Sequence, residues 1–396
     1  MPQQYPLAGI RILDFTQVQL GPCATQVLGD FGAEVIKIER PGAGDLSRST
    51  DPFITEPGGQ SAYFMALNRN KRSLALDMSR PEGRDIALQL VDRADVLVHN
   101  FRPGVAQRLG FDYESLRARN PRLIHASGSG FGPHGPLEHK AGQDLLAQSM
   151  SGLASRNPDA QGRPQLFPTA LGDFTAGMIL AQGVLMALYQ RERTGQGQAL
   201  DVCLLDTLLA LQQQEVTQWM LRGKRVNWIT QNLIDIFATS DGAVTMVGVF
   251  RPNPLQLVCQ ALGLEDLTQQ PRFATLAQQL AHRGELWERL SAGFGAHTTQ
   301  ACIERLDAVD ILCAPVLGLD EALEQPQVRV NGILTDFEHP VHGRVHTVGN
   351  PLHMSNVSDI RRDAPPTLGQ HSDDILRELG VGDERIASLR HASIIH

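Results

Sequence analysis

At position 173, helix architecture and reactive chemistry ask for the same residue. Asp173 lies in Ala170-Leu171-Gly172-Asp173-Phe174-Thr175-Ala176-Gly177-Met178, and the apolar run that follows predicts a helix from about Phe174 to Arg191. Asp173 then falls at the N-cap. One reading is structural: a capping carboxylate accepts a hydrogen bond from a backbone N–H one turn on. The other is chemical: the helix dipole and the free N–H groups of a first turn keep a carboxylate ionised. An ionised carboxylate can attack an acyl carbon and carry the acyl group covalently. The residue types leave both readings open.

Two further constellations invite chemistry. Ser127-Gly128-Ser129-Gly130-Phe131-Gly132-Pro133-His134-Gly135-Pro136 follows a predicted strand, Arg122–Ala126. A dinucleotide fingerprint needs a helix to open straight from its glycines, which Pro133 and Pro136 forbid, and no Walker A sequence occurs. The stretch reads as a rigid turn or as a substrate-lining loop at the C-terminal end of a strand, where open α/β sheets bind ligands. His339, His342 and His346 lie close together, but positions 339 and 342 of a strand face opposite sides. No metal is assigned, and the three are read as surface residues of a hairpin.

Composition narrows the classes. The 396 residues are 42% hydrophobic and 20% charged, enough for a large core and two or three domains. A net charge of −8 without a basic run argues against nucleic acid as a partner. The first residues lack the basic and apolar regions of a secretory signal. No apolar run reaches membrane-spanning length free of charge or glutamine. Cys23, Cys203, Cys259, Cys302 and Cys313 are scattered, odd in number and without C-x-x-C spacing, which points to a reducing, cytoplasmic setting.

The elements that must position Asp173 alternate. Gly9–Phe15 and Glu34–Glu39 read as strands around a helix starting near Gly21-Pro22. Ser73–Asp77, Asp95–His99 and Arg122–Ala126 continue the strands, with a helix from Pro81 between the first two. This pattern predicts a doubly wound α/β fold with a parallel sheet. Helices are expected over Ala141–Ser155 and Asp206–Leu221, and Gly177, Ala181 and Gly183 predict close packing of the Asp173 helix. Composition shifts near Gly223, where short strands and mixed helices predict a smaller α+β domain, residues 223–325. Strands return over Ile333–Phe337, Arg344–Thr347 and Leu352–Met354, and Ser372–Leu379 and Asp383–Leu389 read as closing helices.

Seven landmarks in order then resemble the family III CoA-transferases over nearly the whole chain. They are Leu13 to Pro22, Gly32 to Pro41, Gly44-Asp45, Asn68 to Ser73, Asn100 to Gly104, Asp144 to Gly152 and Leu171-Gly172-Asp173. The resemblance implies a Rossmann-like large domain formed by both chain ends, 1–222 and 326–396, and an interlocked homodimer. It puts the family's catalytic aspartate at Asp173 and an active-site glutamine at Gln19, an amide donor to an oxyanion or acyl group. Arg40, Lys71, Arg72 and Arg108 match positions near CoA, and Asn100 and Phe101 the stretch flanking the nucleotide. Acyl-CoA and a small carboxylic acid, with a dicarboxylic acid favoured, are the implied substrates, with no tightly bound cofactor. Backbone N–H groups near Gly172 are expected to stabilise oxyanions.

There are departures. The Gly-rich loop of formyl-CoA transferase has no counterpart, so its oxalate or formate specificity does not carry over. That enzyme's tyrosine is replaced by Gln143, ahead of Asp144. The alternative activity on this fold, α-methylacyl-CoA racemisation, uses a histidine in an Ala-Gly-His-Asp stretch. Here the stretch is Ala141-Gly142-Gln143-Asp144, and an amide cannot take a proton near neutral pH. Gln143 is therefore expected to orient an acyl oxygen.

Overall fold

The computed structural model describes residues 5–54, 61–159, 161–357 and 359–396. It divides into one unit formed by the chain up to Gln213 together with Gly332–His396, and a second unit, Gln214–Asn331.

The first unit runs β1 (Arg11–Asp14), α1 (Leu20–Asp30), β2 (Glu34–Glu39), α2 (Ala62–Leu67), β3 (Lys71–Ala75), α3 (Pro81–Val91) and β4 (Val96–His99). It continues through α4 (Val105–Leu109), α5 (Tyr113–Arg117), β5 (Ile124–Ser129), α6 (Asp144–Met150), α7 (Leu171–Thr194), β6 (Ala199–Cys203) and α8 (Leu204–Leu211). The six strands form one parallel sheet in the order β3-β2-β1-β4-β5-β6. Both faces are apolar, so alternate residues enter different cores. Leu13, Ile36, Leu74 and Leu97 pack with Ile86, Leu90, Ile375 and Leu389 on one side. Ile12, Val35, Val96 and Val98 pack with Leu28, Leu180 and Val184 on the other. This is the doubly wound α/β arrangement the alternation predicts.

Helix α7 has the length and apolarity of a membrane span, but its inner face is buried in the second of these cores. It crosses α1 closely: a Cβ on Gly177 would lie 2.7 Å from both the Leu20 carbonyl oxygen and the Cys23 Cβ, so only glycine fits. Three helix expectations are corrected. α7 starts at Leu171, with Ala170 at the N-cap, so Asp173 is the third helical residue. Asp206–Leu221 is two helices, α8 and α9 (Gln213–Arg222), interrupted at Gln212, whose amide donates to Leu208 O and Ser151 O. Ala141–Ser155 shortens to α6, beyond which Gly152 takes a positive φ of 83°.

The second unit contains β7 (Ile234–Ala238), β8 (Ala243–Val247), α10 (Pro254–Leu262), α11 (Leu276–Ala281), α12 (Arg283–Gly295), α13 (Thr299–Asp307) and β9 (Leu312–Pro315). Its three strands are antiparallel, and β9 was not expected. Phe237, Val244, Met246, Leu290 and Phe294 form its core. Helices α14 (Leu319–Glu324) and α15 (Pro326–Asn331) follow, without a buried residue.

The C-terminal part supplies the hairpin β10 (Leu334–His339) and β11 (Gly343–Val348), then α16 (Ser372–Glu378) and α17 (Asp383–His391). Leu352–Met354 is not a strand; Met354 makes an isolated bridge to Val357. His339 is not a surface residue but 3% exposed, and its Nδ1 accepts from Val341 N and His342 N in the turn. The chain end returns to the sheet: Asn70 exchanges hydrogen bonds with Asp363 and donates to Arg361 O, and His396 N donates to Ala75 O.

Candidate active site

The strand order reverses between β1 and β4, and the crevice at their C-terminal ends is where such a sheet binds ligands. The loops leaving the two strands are joined there. Gln17 N donates to Asn100 Oδ1 at 2.8 Å, and Asn100 Nδ2 donates to Gln17 O at 2.7 Å. Above them lies a cavity of about 430 Å³ lined by Gln17, Gln19, Arg40, Asn100, Phe101, Arg102, Gly128, Ser129, Gly130, Lys140, Gln143 and Asp173, among others. A second cavity of about 340 Å³ shares Gln17, Arg40, Phe101 and Val105 with it and extends to Asp77, Met78 and Ser79.

The loop after β1 rests on buried charge. The Asp14 carboxylate accepts from Thr16 N, Thr25 Oγ1 and Lys71 Nζ. Burial alone would raise its pKa, but the Lys71 and Lys37 ammoniums hold it well below the usual carboxylate range. Lys37 donates to Thr16 O at 2.8 Å and pairs with Asp45 at 2.8 Å, with both side chains fully enclosed. Asp45 Oδ1 in turn accepts from Val18 N at 3.0 Å. That contact holds Val18 at φ 66°, a strained conformation for a β-branched residue. Gln19 follows as the N-cap of α1, and its side chain makes no capping bond.

Asp173 opens on the first cavity from the first turn of α7. Its own N–H donates to Asp144 Oδ2 at 2.8 Å, so α7 is capped by a residue of α6. The fit is tight: a Cβ on Gly172 would lie 2.9 Å from that oxygen. Asp144 Oδ1 accepts from Gln148 Nε2 at 2.6 Å, and Gln148 Oε1 accepts from Phe167 N at 2.9 Å. Burial and then the Asp144 charge push the Asp173 carboxyl up to about 7. The expectation of a firmly ionised carboxylate is therefore corrected: burial and Asp144 together outweigh the helix dipole. The first-turn donors are also largely occupied, Leu171 N by Thr169 O, Asp173 N by Asp144 and Phe174 N by Ala170 O. At the start of α1, by contrast, Leu20 N and Gly21 N make no hydrogen bond among the described residues.

The Gly-rich segment lines the cavity through Gly128, Ser129 and Gly130. Gly130 lies against Gly142, each so close that a Cβ on either would come within 2.4 Å of the other's α-carbon. This contact brings Gln143 to the cavity wall. Gln143 Oε1 accepts from Leu145 N and caps α6, which leaves its Nε2 donor for the cavity.

Of the nine expected site residues, Asp173, Gln19, Gln143, Arg40, Asn100 and Phe101 share the first cavity. Lys71 does not: its ammonium is enclosed against Asp14, Asn68 and Pro22 O. Arg72 points the other way along β3 and pairs with Glu34 and Glu378, both at 2.7 Å. Arg108, on α4, is outside both linings. Asn100 is committed to the Gln17 backbone. Sequence reasoning did not single out Arg102 or Lys140, which add positive charge to the wall, and it gave no part to Gln148. The available signals were a basic residue inside the Asn100 to Gly104 landmark and another just ahead of Ala141-Gly142-Gln143-Asp144.

Comparison with known proteins places the whole chain. The sequence profile described as CoA-transferase family III matches residues 7–372. A formyl-CoA:oxalate CoA-transferase of Bradyrhizobium sp. (strain ORS 278) is 35% identical, covering 98% of this chain and 97% of that protein. A succinyl-CoA:glutarate CoA-transferase of Mus musculus is 34% identical over 96% of this chain and 87% of its own. The crystal structure of a CAIB/BAIF family protein from Brucella suis superposes with a TM-score of 0.86 at 30% identity, covering 95% of this chain and all of that one (100%). The chain belongs to CoA-transferase family III.

Proposed function

We propose that this enzyme moves CoA from an acyl-CoA thioester to a free carboxylic acid, with Asp173 carrying the acyl group and then the CoA. The observation that carries the reading is the half-buried Asp173 carboxyl, pushed up to about 7, open to a cavity with cationic walls. A carboxylate of raised basicity is a better nucleophile once ionised. Its oxygen attacks the thioester carbon, the C–S bond breaks, and a mixed anhydride and CoA thiolate form. The thiolate attacks the Asp173 carbonyl carbon, releasing the donor's carboxylate and leaving an aspartyl-CoA thioester. The acceptor carboxylate repeats the attack, forming a second anhydride and thiolate. The thiolate then takes the acceptor's acyl carbon and frees Asp173. Charge is conserved at each step without a proton transfer.

The Gln19 amide, the Gln143 Nε2 donor and the open N–H groups of Leu20 and Gly21 suit the oxyanions of these additions. Arg40, Arg102 and Lys140 suit phosphates and a carboxylate, Arg by its forked geometry. Phe101 suits the nucleotide. The names of the relatives, which pair acyl-CoA donors with oxalate and glutarate, support a dicarboxylic acceptor. We also infer a cytoplasmic, interlocked homodimer that needs no tightly bound cofactor. The apolar residues left exposed on α9, Trp219, Met220 and Leu221, support a partner subunit.

The test is turnover of the purified protein on a panel of acyl-CoA donors and mono- and dicarboxylic acceptors, with hydroxylamine trapping at residue 173. Trapped acyl group in the wild type and none in Asp173→Ala is the expected result. Fast α-deuterium uptake into a 2-methylacyl-CoA, with no CoA exchange to any acid, would overturn it in favour of the racemase.

A further inference from the structure

Asp144 and Gln148 lie one helical turn apart on α6, 2% and 0% exposed, directly behind the nucleophile's helix. Two donors converge on Asp144 from different elements: Asp173 N at one oxygen and Gln148 Nε2 at the other. Both carboxylate oxygens accept; an amide at this position would set donor against donor at one of them. Gln148 itself is fixed from a third element. Its Oε1 accepts from Phe167 N, and its Nε2 also approaches Phe167 O at 3.4 Å and Thr169 O at 3.2 Å. Those residues belong to the segment that leads into α7. One amide thus ties together α6, the approach to α7 and the carboxylate that caps α7.

We propose that Gln148 is a positioning residue: it fixes the Asp144 carboxylate in the orientation that caps α7 and keeps a negative charge behind the Asp173 carboxyl, and so sets the basicity of the nucleophile. The inference rests on Asp173 being that nucleophile. A charge held at 2.8 Å from the Asp173 amide opposes the helix dipole where the dipole would otherwise favour an ionised, weakly basic carboxylate. The other titratable or charged groups around Asp173 are the Cys23 thiol on α1, pushed up to about 12 by burial, and Arg40, Arg102 and Lys140 on the cavity wall. None of these adds a negative charge near neutral pH. Asp144 is the group that does, and Gln148 holds it.

The test follows the protonated-carboxyl C=O stretch of Asp173 in the full-length protein by difference infrared spectroscopy across pH, with Asp173→Asn as the blank. Gln148→Leu removes the donor that holds Asp144 Oδ1 and lets the carboxylate turn away from the α7 cap. The Asp173 midpoint is expected to fall by about one pH unit. The pair Asp144→Asn with Gln148→Glu keeps donor–acceptor order from Asp173 N through positions 144 and 148 to Phe167 N, at the loss of the donations to Phe167 O and Thr169 O. It moves the charge one helical turn away, so the midpoint is again expected to fall while the cap is kept. This pair decides the matter if the leucine variant does not fold. An unmoved midpoint in the folded variants would overturn the proposal. The readout needs no substrate, so a wild type that traps no acyl group but shows these shifts refutes the nucleophile reading alone.

Discussion

The amide of Asn100 and the backbone of Gln17 exchange two hydrogen bonds, at 2.7 and 2.8 Å, across the point where the sheet reverses its strand order. Both arms of the amide are used, so the loop that carries Gln19 cannot shift without breaking them. Asn100→Ala is expected to lower kcat/KM by about 10- to 100-fold, the equivalent of about 1–3 kcal/mol for unpaired groups in a desolvated crevice. Asn100→Asp should be at least as damaging, since its second oxygen would face the Gln17 carbonyl. Steady-state kinetics of both variants check this, and wild-type kinetics in either would show that the loop does not limit the rate.

The Asp173 carboxyl, pushed up to about 7, must be ionised to attack. The rate of acyl trapping should therefore fall as pH drops below about 7. Stability runs the other way. A carboxyl whose folded pKa lies above its unfolded value carries its cost above the folded pKa and sheds it as pH falls. Asp173→Asn should accordingly raise the thermal midpoint at pH 8, raise it less at pH 5 and leave it little changed below the unfolded pKa, near pH 3. Calorimetry at the three pH values is the measurement.

Gly172 leaves no room for a side chain: a Cβ would stand 2.9 Å from Asp144 Oδ2 and 3.2 Å from Leu208 Cδ1. Gly172→Ala should displace the cap of α7 and slow acyl trapping by at least about tenfold. CoA affinity, measured by calorimetric titration, should change less than trapping does.

His99 and His125 lie edge to face beneath the crevice with ring centroids 5.0 Å apart, and Phe101 stacks on His99. Burial, then His125, pulls His99 down to about 3, so the folded protein keeps the ring neutral. The unfolded chain binds its proton below about 6.5. Stability is therefore lost as pH falls below that value, by about 2 kcal/mol from this group at pH 5. His99→Leu should flatten the pH dependence of the urea midpoint between pH 7 and 5. An unchanged slope would show that the acid sensitivity lies elsewhere.

Much of this was legible in the sequence because the sheet is buried on both faces, and apolar runs bounded by Gly, Pro and Asp read directly as strands. Glu34–Glu39 is found at its expected ends, and Pro81 starts α3 as its fixed φ suggests. The failures share a cause: a partner distant in sequence. The start of α7 is set by Asp144, 29 positions away, so local capping logic placed it too late. The resemblance put both Lys71 and Arg72 near CoA, but strand alternation sends them to opposite faces. Asp14, 57 positions from Lys71, makes burial of that ammonium tolerable. His339 is the exception: the amides of Val341 and His342 that fill its Nδ1 are near in sequence, but histidine spacing does not reveal the turn that aims them.

The return of the chain to β3 has a consequence for the order of folding. Residues 361–396 pair with Asn70, Ser73 and Ala75, and Ile395 bridges Leu76, while a complete second unit lies between these partners in sequence. The second unit has all of its own contacts once residue 331 is made. The core that holds Leu74 and Leu76 stays incomplete until α16 and α17 are synthesised and supply Ile375, Leu376 and Leu389. On the ribosome, therefore, the later-made unit can complete its contacts first, while the unit that carries Asp173 still lacks the chain end that pairs with its β3 edge.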